Sequence, residues 1–159
     1  MKGPITPCLW FNNQAEEAAN FYISVFKNSK IETISRYPKE GFEVHHQKEG
    51  TAMTVVFEIN GQKFTALNGG DQFKFSEAVS FQVFCETQDE IDYYWDKLCE
   101  DGQEGPCGWL KDKFGLSWQI VPSMMGQLMS NSATSGKVMQ AFMQMKKFDI
   151  ATLKKAAEG

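Results

Sequence analysis

Apolar and polar positions alternate along the stretch Leu116 to Val121, with Leu116, Trp118 and Ile120 on one side and Ser117, Gln119 and Val121 on the other. That period of two predicts a strand with one apolar face and a second face offering a hydroxyl and an amide. Cys107 to Lys111 supplies a preceding arm, and the Lys-Asp-Lys-Phe-Gly turn through Gly115 makes the pair a hairpin, stopped by Pro122. Earlier in the chain Ile5 to Phe11 reads as a strand, with Pro7 marking an edge or a bulge. Asn13 then opens a helix, with Glu16 in the reciprocal capping position. Ala18, Phe21, Tyr22 and Val25 form its apolar stripe, and Asn28-Ser29 end it. Lys30 to Tyr37 is a strand of imperfect polarity. Thr51 to Ile59 and Gln62 to Leu67 are strands joined at Asn60-Gly61, the strongest short hairpin signal present. The polar segment Pro38 to Gly50 between them has no apolar period and is expected as an exposed connection.

The pattern then repeats. Val79 to Cys85 is a strand, and Thr87 with Glu90 forms a second capping box, 74 residues after Asn13. Ile91, Tyr94, Trp95 and Leu98 restate the helical stripe. The spacing implies an internal duplication of a βαβββ unit, over residues 5–70 and, abbreviated, over 78–122, within one domain of 1–159. In the second copy only the hairpin is clear, so any further strand there has to be very short. Residues 123–159 are helical and Met-rich, with Val138, Ala141, Phe142 and Met145 as a packing stripe and Asp149 capping a last short helix through Leu153. Methionines at that spacing fill irregular gaps in a core.

Composition narrows the class without changing the picture. Of 159 residues 42% are hydrophobic and 23% charged, ordinary values for a globular chain. The formal net charge is −4, acidic and basic residues are interspersed, and no basic stripe suggests nucleic acid or an anionic membrane. No signal peptide or membrane-length apolar run is seen, which points to a cytoplasmic protein. Cys8, Cys85, Cys99 and Cys107 lack C-x-x-C spacing and are read as reduced thiols rather than disulfides or zinc ligands.

Four stretches carry a family resemblance: C-L-W-F-N-N-Q-A-E-E-A-A-N-F-Y, T-A-L-N-G-G, S-F-Q-V-F-C-E-T-Q-D-E-I-D-Y-Y-W and C-G-W-L-K-D-K-F-G-L-S-W-Q-I-V-P. With the duplicated βαβββ pattern, they resemble the PhnB-like family of the vicinal oxygen chelate superfamily. That superfamily includes glyoxalase I, ring-cleaving dioxygenases and bleomycin-resistance proteins; the family is often labelled 3-demethylubiquinone-9 3-methyltransferase. The resemblance implies an α+β fold of two βαβββ modules whose curved mixed sheets form a cup, with helices outside and a C-terminal helical extension. It also implies a homodimer, for which the Met-rich helix offers a contact surface.

Metal enzymes of the superfamily carry His and Glu ligands on cup-facing strands. Laying that pattern on this chain puts Pro7, Ser80 and Gln119 at three ligand positions and the fourth within Thr65 to Leu67, a set without imidazole or carboxylate. The expectation is therefore no metal and no cofactor. His45 and His46, near Glu43 and Glu49, are adjacent residues that point opposite ways in an extended segment and make a poor metal pair. No glycine-rich strand-to-helix loop for a nucleotide-like cofactor is present, nor a nucleophile elbow.

What strand parity places at the cup is Leu9, Phe11, Ser80, Gln82, Ser117 and Gln119, an apolar cavity with a few hydrogen-bonding groups, as small-molecule sites usually are. The alternative is that these groups bond one another in a filled cup. Ser80 and Gln119, read as matching positions of the two modules, are expected to face each other across it. Trp118 is expected under the second helix near Trp95. Two functions follow. One is a metal-free binding protein for a small, partly apolar molecule. The other is an enzyme with an atypical site, nominally the methyltransferase of the family label or a lyase or dioxygenase.

Overall fold

The computed structural model describes residues 3 and 5–158, so Pro4, just before the first expected strand, lies outside the described residues. The chain forms two compact units, Met1–Lys74 and Phe75–Gly159.

The first unit runs β1 (Cys8–Phe11), α1 (Ala15–Val25), β2 (Ser29–Arg36), α2 (Phe42–His45), β3 (Ala52–Ile59) and β4 (Gln62–Asn68). Its sheet has the order β1-β4-β3-β2, with β1 parallel to β4 and the other pairs antiparallel. Asn60 and Gly61 both take positive φ, 46° and 85°, as the tight β3–β4 hairpin requires. Pro7 is tolerated because β1 is an edge strand, and its carbonyl still accepts from Thr65 N–H at 3.0 Å. A register shift between Ile31 and Thr33 accounts for the imperfect polarity of β2: one extra residue switches the face of everything after it. On the side covered by α1, Tyr22 stacks on Phe57 and Phe57 on Phe64, with ring centroids 5.9 and 5.3 Å apart.

Two expectations for this unit change. The connection after β2 is not wholly irregular, since Phe42 to His45 form one helical turn, ended by His46 at φ 54°. Nor does Asn13 cap α1: the N-cap is Gln14, without a side-chain bond, and Glu16 pairs instead with Arg36 at 3.3 Å. The free amide of the first turn is satisfied from across the fold, where Ala15 N–H donates to Asn68 Oδ1 at 2.8 Å.

The second unit repeats the order with β5 (Ser80–Cys85), α3 (Gln88–Cys99), β6 (Gln103–Glu104), β7 (Trp109–Lys111) and β8 (Ser117–Pro122). Its sheet order, β5-β8-β7-β6, is that of the first, with β5 parallel to β8. The additional strand β6 is two residues long, as the brevity of the second copy demands. Here the capping box does form: Thr87 Oγ1 accepts from Glu90 N–H at 3.2 Å and Glu90 Oε2 from Thr87 N–H at 3.3 Å. Ile91, Trp95 and Leu98 of α3 are buried, as are Leu110, Trp118 and Ile120 of the sheet.

Three further helices follow, α4 (Met125–Ser130), α5 (Ser135–Phe142) and α6 (Ile150–Glu158). Asp149 Oδ1 accepts from Thr152 N–H at 2.6 Å, the expected cap, but α6 continues past Leu153 to Glu158. The segment between α5 and α6 is bonded to the second unit through Cys107 N–H to Met145 O, 2.8 Å, and Gly108 N–H to Lys146 O, 2.7 Å. Only glycine fits at 108: φ is 78° and a Cβ would lie 2.5 Å from the Phe148 ring. Among the described residues no helix is long and apolar enough to cross a membrane.

Candidate functional site on the open face of the second sheet

A parallel register puts paired residues on one face, which decides where the expected site residues stand. Leu9 pairs with Ala66 and Phe11 with Asn68, and Asn68 reaches the first turn of α1. Leu9 and Phe11, 5% and 4% exposed, therefore belong to the core beneath α1 rather than to the open face. This corrects the expected parity of β1. Cys8, Leu9, Trp10 and Phe11 are all apolar, so no alternation marked which face each would take. The open face of the first sheet presents Cys8, Trp10, Thr65 and Leu67 instead. Near Trp10 it is filled by the chain itself: the indole N–H donates to Gly70 O at 2.8 Å, and Phe73 meets the ring edge-on at 4.9 Å. Any Cβ on Gly69 would come within 2.3 Å of that ring.

In the second sheet the alternation of β8 is as expected. Trp118 is 3% exposed, tilts against Phe81 and donates its indole N–H to Asp112 Oδ2 at 2.8 Å. Gln119 takes the opposite face. Ser80 pairs with Ser117 and Gln82 with Gln119, so four of the six expected site residues share one open face. Ser80 and Gln119 do not oppose each other from two modules. They are neighbours on strands of one sheet, and Gln119 Nε2 donates to Ser80 Oγ at 2.8 Å, while Gln82 Nε2 lies 3.4 Å from Gln119 Oε1.

Beside them, where β7 pairs with β8, a cleft of about 410 Å³ is lined by Glu77, Gln103, Pro106, Trp109, Lys111 and Ser117. Trp109 and Lys111 pair with Gln119 and Ser117, which places them on the same face. Sequence reasoning missed both because β7 is only three residues long, too short for a period to show. Lys111 Nζ binds Glu77 Oε1 at 2.5 Å, and that hydrogen bond holds the Glu77 carboxyl below its ordinary range. Glu104, also in the wall, is held low by the Lys146 ammonium and the Trp95 indole. Ser117 is wholly buried, and among the described residues its Oγ is the one buried side-chain polar atom without a hydrogen-bond partner.

The histidines and the buried cysteines lie outside this face. His45 Nδ1 accepts from Gln47 N–H at 3.0 Å, its Nε2 lies 3.2 Å from Glu40 O, and the ring sits 4.6 Å from that of Tyr37. His45 and His46 thus act locally within the β2–β3 connection. Burial pushes the Cys85 thiol up to about 12 and that of Cys99 to about 11, far from nucleophilic character.

Two open four-stranded mixed sheets, each of βαβββ order and with helices following, define a glyoxalase/bleomycin-resistance-like fold of the vicinal oxygen chelate type. Within it the chain belongs to the 3-demethylubiquinone-9 3-methyltransferase family, whose model matches residues 3–121. A putative 3-demethylubiquinone-9 3-methyltransferase, the PhnB protein of Bacillus cereus, is 40% identical over 76% of this chain and 99% of its own, with a TM-score of 0.66. The fosfomycin resistance protein FosX of Mesorhizobium loti shares the fold at 10% identity and TM-score 0.57, covering 82% of this chain and 99% of its own. A FosX mutant of Listeria monocytogenes, 14% identical over 82% of this chain and 99% of its own, with TM-score 0.54, was solved with Mn(II) and a dihydroxypropylphosphonic acid. A comparison with curated proteins found no match.

Whether this chain's own side chains suit such a metal is decided by their chemistry. Ser80, Gln82 and Gln119 offer neutral oxygens already bonded to one another, a poor set for a divalent transition metal. Among the described residues no three His, Cys, Asp or Glu side chains cluster so as to hold one.

Proposed function

We propose that this protein is a metal-independent binder of a small, partly apolar molecule, held on the open face of the second sheet by Ser80, Gln82, Ser117 and Gln119. The observation that carries this reading is the unpartnered Ser117 hydroxyl in the wall of the cleft. A buried hydroxyl without a partner is unfavourable by about 1–3 kcal/mol, and a bound oxygen or nitrogen would remove that cost. Recognition through neutral groups suits an uncharged or weakly polar ligand, each hydrogen bond contributing about 0.5–1.5 kcal/mol net.

Native mass spectrometry of gently purified protein tests it, together with elemental analysis. The expected result is a co-purifying small molecule and less than stoichiometric transition metal; one metal per chain would overturn the reading. Gln119→Leu should change stability by less than about 1 kcal/mol, because Gln119 is only half-buried and Ser80 can turn to water. The same variant should lose the bound molecule. Unchanged retention by Gln119→Leu would remove Gln119 from the site.

Methyl transfer, which the family's description names, is the competing function. The β1–α1 and β5–α3 connections, Asn12-Asn13-Gln14 and Glu86-Thr87, contain no glycine, and the Glu86 and Thr87 amides leading into α3 are already taken by the Glu90 carboxylate. A nucleotide-like cofactor would need backbone amides free there. Titration calorimetry with S-adenosylmethionine is expected to show no saturation in the micromolar range, and saturable binding at that strength would favour the enzyme.

A homodimer belongs to the same proposal. Met139 and Met143 on and just after α5 are 44% and 60% exposed, flexible apolar side chains suited to a contact between copies. Sedimentation equilibrium should give twice the 18.0 kDa chain mass. A single-chain mass at high concentration would contradict it.

A further inference from the structure

The charges in the cleft wall already have partners. Lys111 Nζ is bound to Glu77 Oε1 at 2.5 Å. Glu104 Oε1 accepts from the Trp95 indole N–H at 3.2 Å, and its Oε2 from Lys146 Nζ at 3.1 Å. A charged ligand would gain little here, because each charge already has a counter-charge beside it and the pairs are open to water. The remaining wall is largely apolar, with Pro106 and Trp109 beside the exposed Gln103, and among the described residues the one buried side-chain polar atom lacking a partner is the Ser117 hydroxyl. Lys111 is the direct cross-strand neighbour of Ser117, and its side chain is drawn off toward Glu77. Ser117 itself is wholly buried, so a ligand that reaches its hydroxyl has to displace the neighbouring Lys111 stem.

We propose that the cleft between β7 and the Glu77 segment selects an uncharged, mostly apolar ring compound carrying one carbonyl or ether oxygen, which accepts a hydrogen bond from Ser117 while the ring lies against Trp109. This rests on the open face of the second sheet being the ligand site. It goes further by fixing the ligand's charge and the place of its polar atom. An unmet O–H donor is satisfied by an oxygen acceptor on the ligand, and an apolar wall with paired charges disfavours net charge of either sign.

Four probes of similar size separate these features: acetophenone, ethylbenzene, benzoate and benzylammonium. Binding of each is followed by shifts of the Trp109 indole and of the Leu110 and Lys111 amides in nitrogen–proton NMR spectra. Acetophenone is expected to bind about 3–10-fold more tightly than ethylbenzene, the value of one neutral hydrogen bond. Benzoate and benzylammonium should bind more weakly than ethylbenzene. In Ser117→Ala the acetophenone advantage should fall to about onefold while ethylbenzene is unaffected. The ligand-free variant should also unfold about 2–4 °C higher, since a buried polar group without a partner has been removed.

A charged probe binding best would overturn the proposed ligand class, and so would an acetophenone advantage that survives Ser117→Ala. Ethylbenzene binding as well as acetophenone in the wild type would leave the pocket standing and refute the carbonyl. No shift with any of the four would refute the cleft as a ligand site altogether. A drop in stability of Ser117→Ala would show that the hydroxyl has a structural partner, and the proposal would fall on that ground.

Discussion

Truncating Trp118 to Ala should lower the stability of the second unit by about 3–5 kcal/mol, the usual loss for a large buried aromatic side chain. Two effects add. The indole is 3% exposed, packs against Phe81 and pairs in register with Leu110, so its removal opens a cavity between the sheet and α3. It also donates to Asp112 Oδ2 at 2.8 Å. Asp112 is 3% exposed, and its Oδ1 holds the amides of Phe114 and Leu116 at 2.9 and 3.1 Å, which shapes the turn between β7 and β8. Loss of the indole would take a donor from a buried carboxylate, an expensive change in a low-dielectric setting. Trp118→Phe separates the two effects: it keeps most of the packing and should cost about 1–3 kcal/mol through the hydrogen bond alone. Urea unfolding of both variants measures the difference. Because Trp118 and Gln119 occupy opposite faces, Trp118→Phe should leave ligand binding unchanged at temperatures where the unit is folded. Loss of binding in a folded Trp118→Phe protein would place the indole in the site and contradict the parity of β8.

Asn68→Ala should destabilise the first unit by about 2–4 kcal/mol, since it strands two buried backbone groups at once. Asn68 is 1% exposed; its Oδ1 accepts from Ala15 N–H at 2.8 Å and its Nδ2 donates to Ala52 O at 2.9 Å. Its own carbonyl accepts from Tyr37 O–H at 2.5 Å. One side chain thus ties the last residue of β4 to the start of α1 and the start of β3. Hydrogen exchange gives the local readout: the Ala15 amide should lose protection far more than amides in the middle of β3. Asn13→Ala is the control. Asn13 makes no cap bond to α1, so its replacement should cost no more than a few tenths of a kcal/mol. A larger loss from Asn13→Ala than from Asn68→Ala would reverse the assignment.

Much of the architecture was legible because it is written in local periods. The Asn60-Gly61 hairpin, the Thr87–Glu90 capping box and the alternation of Leu116 to Val121 each depend on residues a few positions apart, and each forms as read. The duplication was visible for the same reason: two βαβββ units with the same helical stripe give two sheets of the same strand order, although only the second keeps its capping box. Within the candidate site, the face shared by Ser117 and Gln119 followed from period two alone, and Ser80 and Gln82 join them through the β5–β8 register.

Where local signal was absent, only the tertiary structure decided. β1 is apolar at every position, so pairing with β4, not pattern, sends Leu9 and Phe11 to the core and Trp10 to the open face. The cap of α1 comes from Asn68, 53 residues from Ala15, a partner no spacing rule reaches because nearby Asn13 and Glu16 carry the same signature. Ser80 and Gln119 became neighbours rather than opposites once β8 lay parallel to β5 in one sheet. The cleft shows the same division. Trp109, Lys111 and Glu77 have no periodicity of their own, and it is the β7–β8 register and the Lys111–Glu77 ion pair that bring them around Ser117. Short-range sequence patterns set which residues form each element, because turn geometry and side-chain alternation are local. Which faces meet, and which polar atom is left without a partner, depends on contacts between residues far apart in the chain.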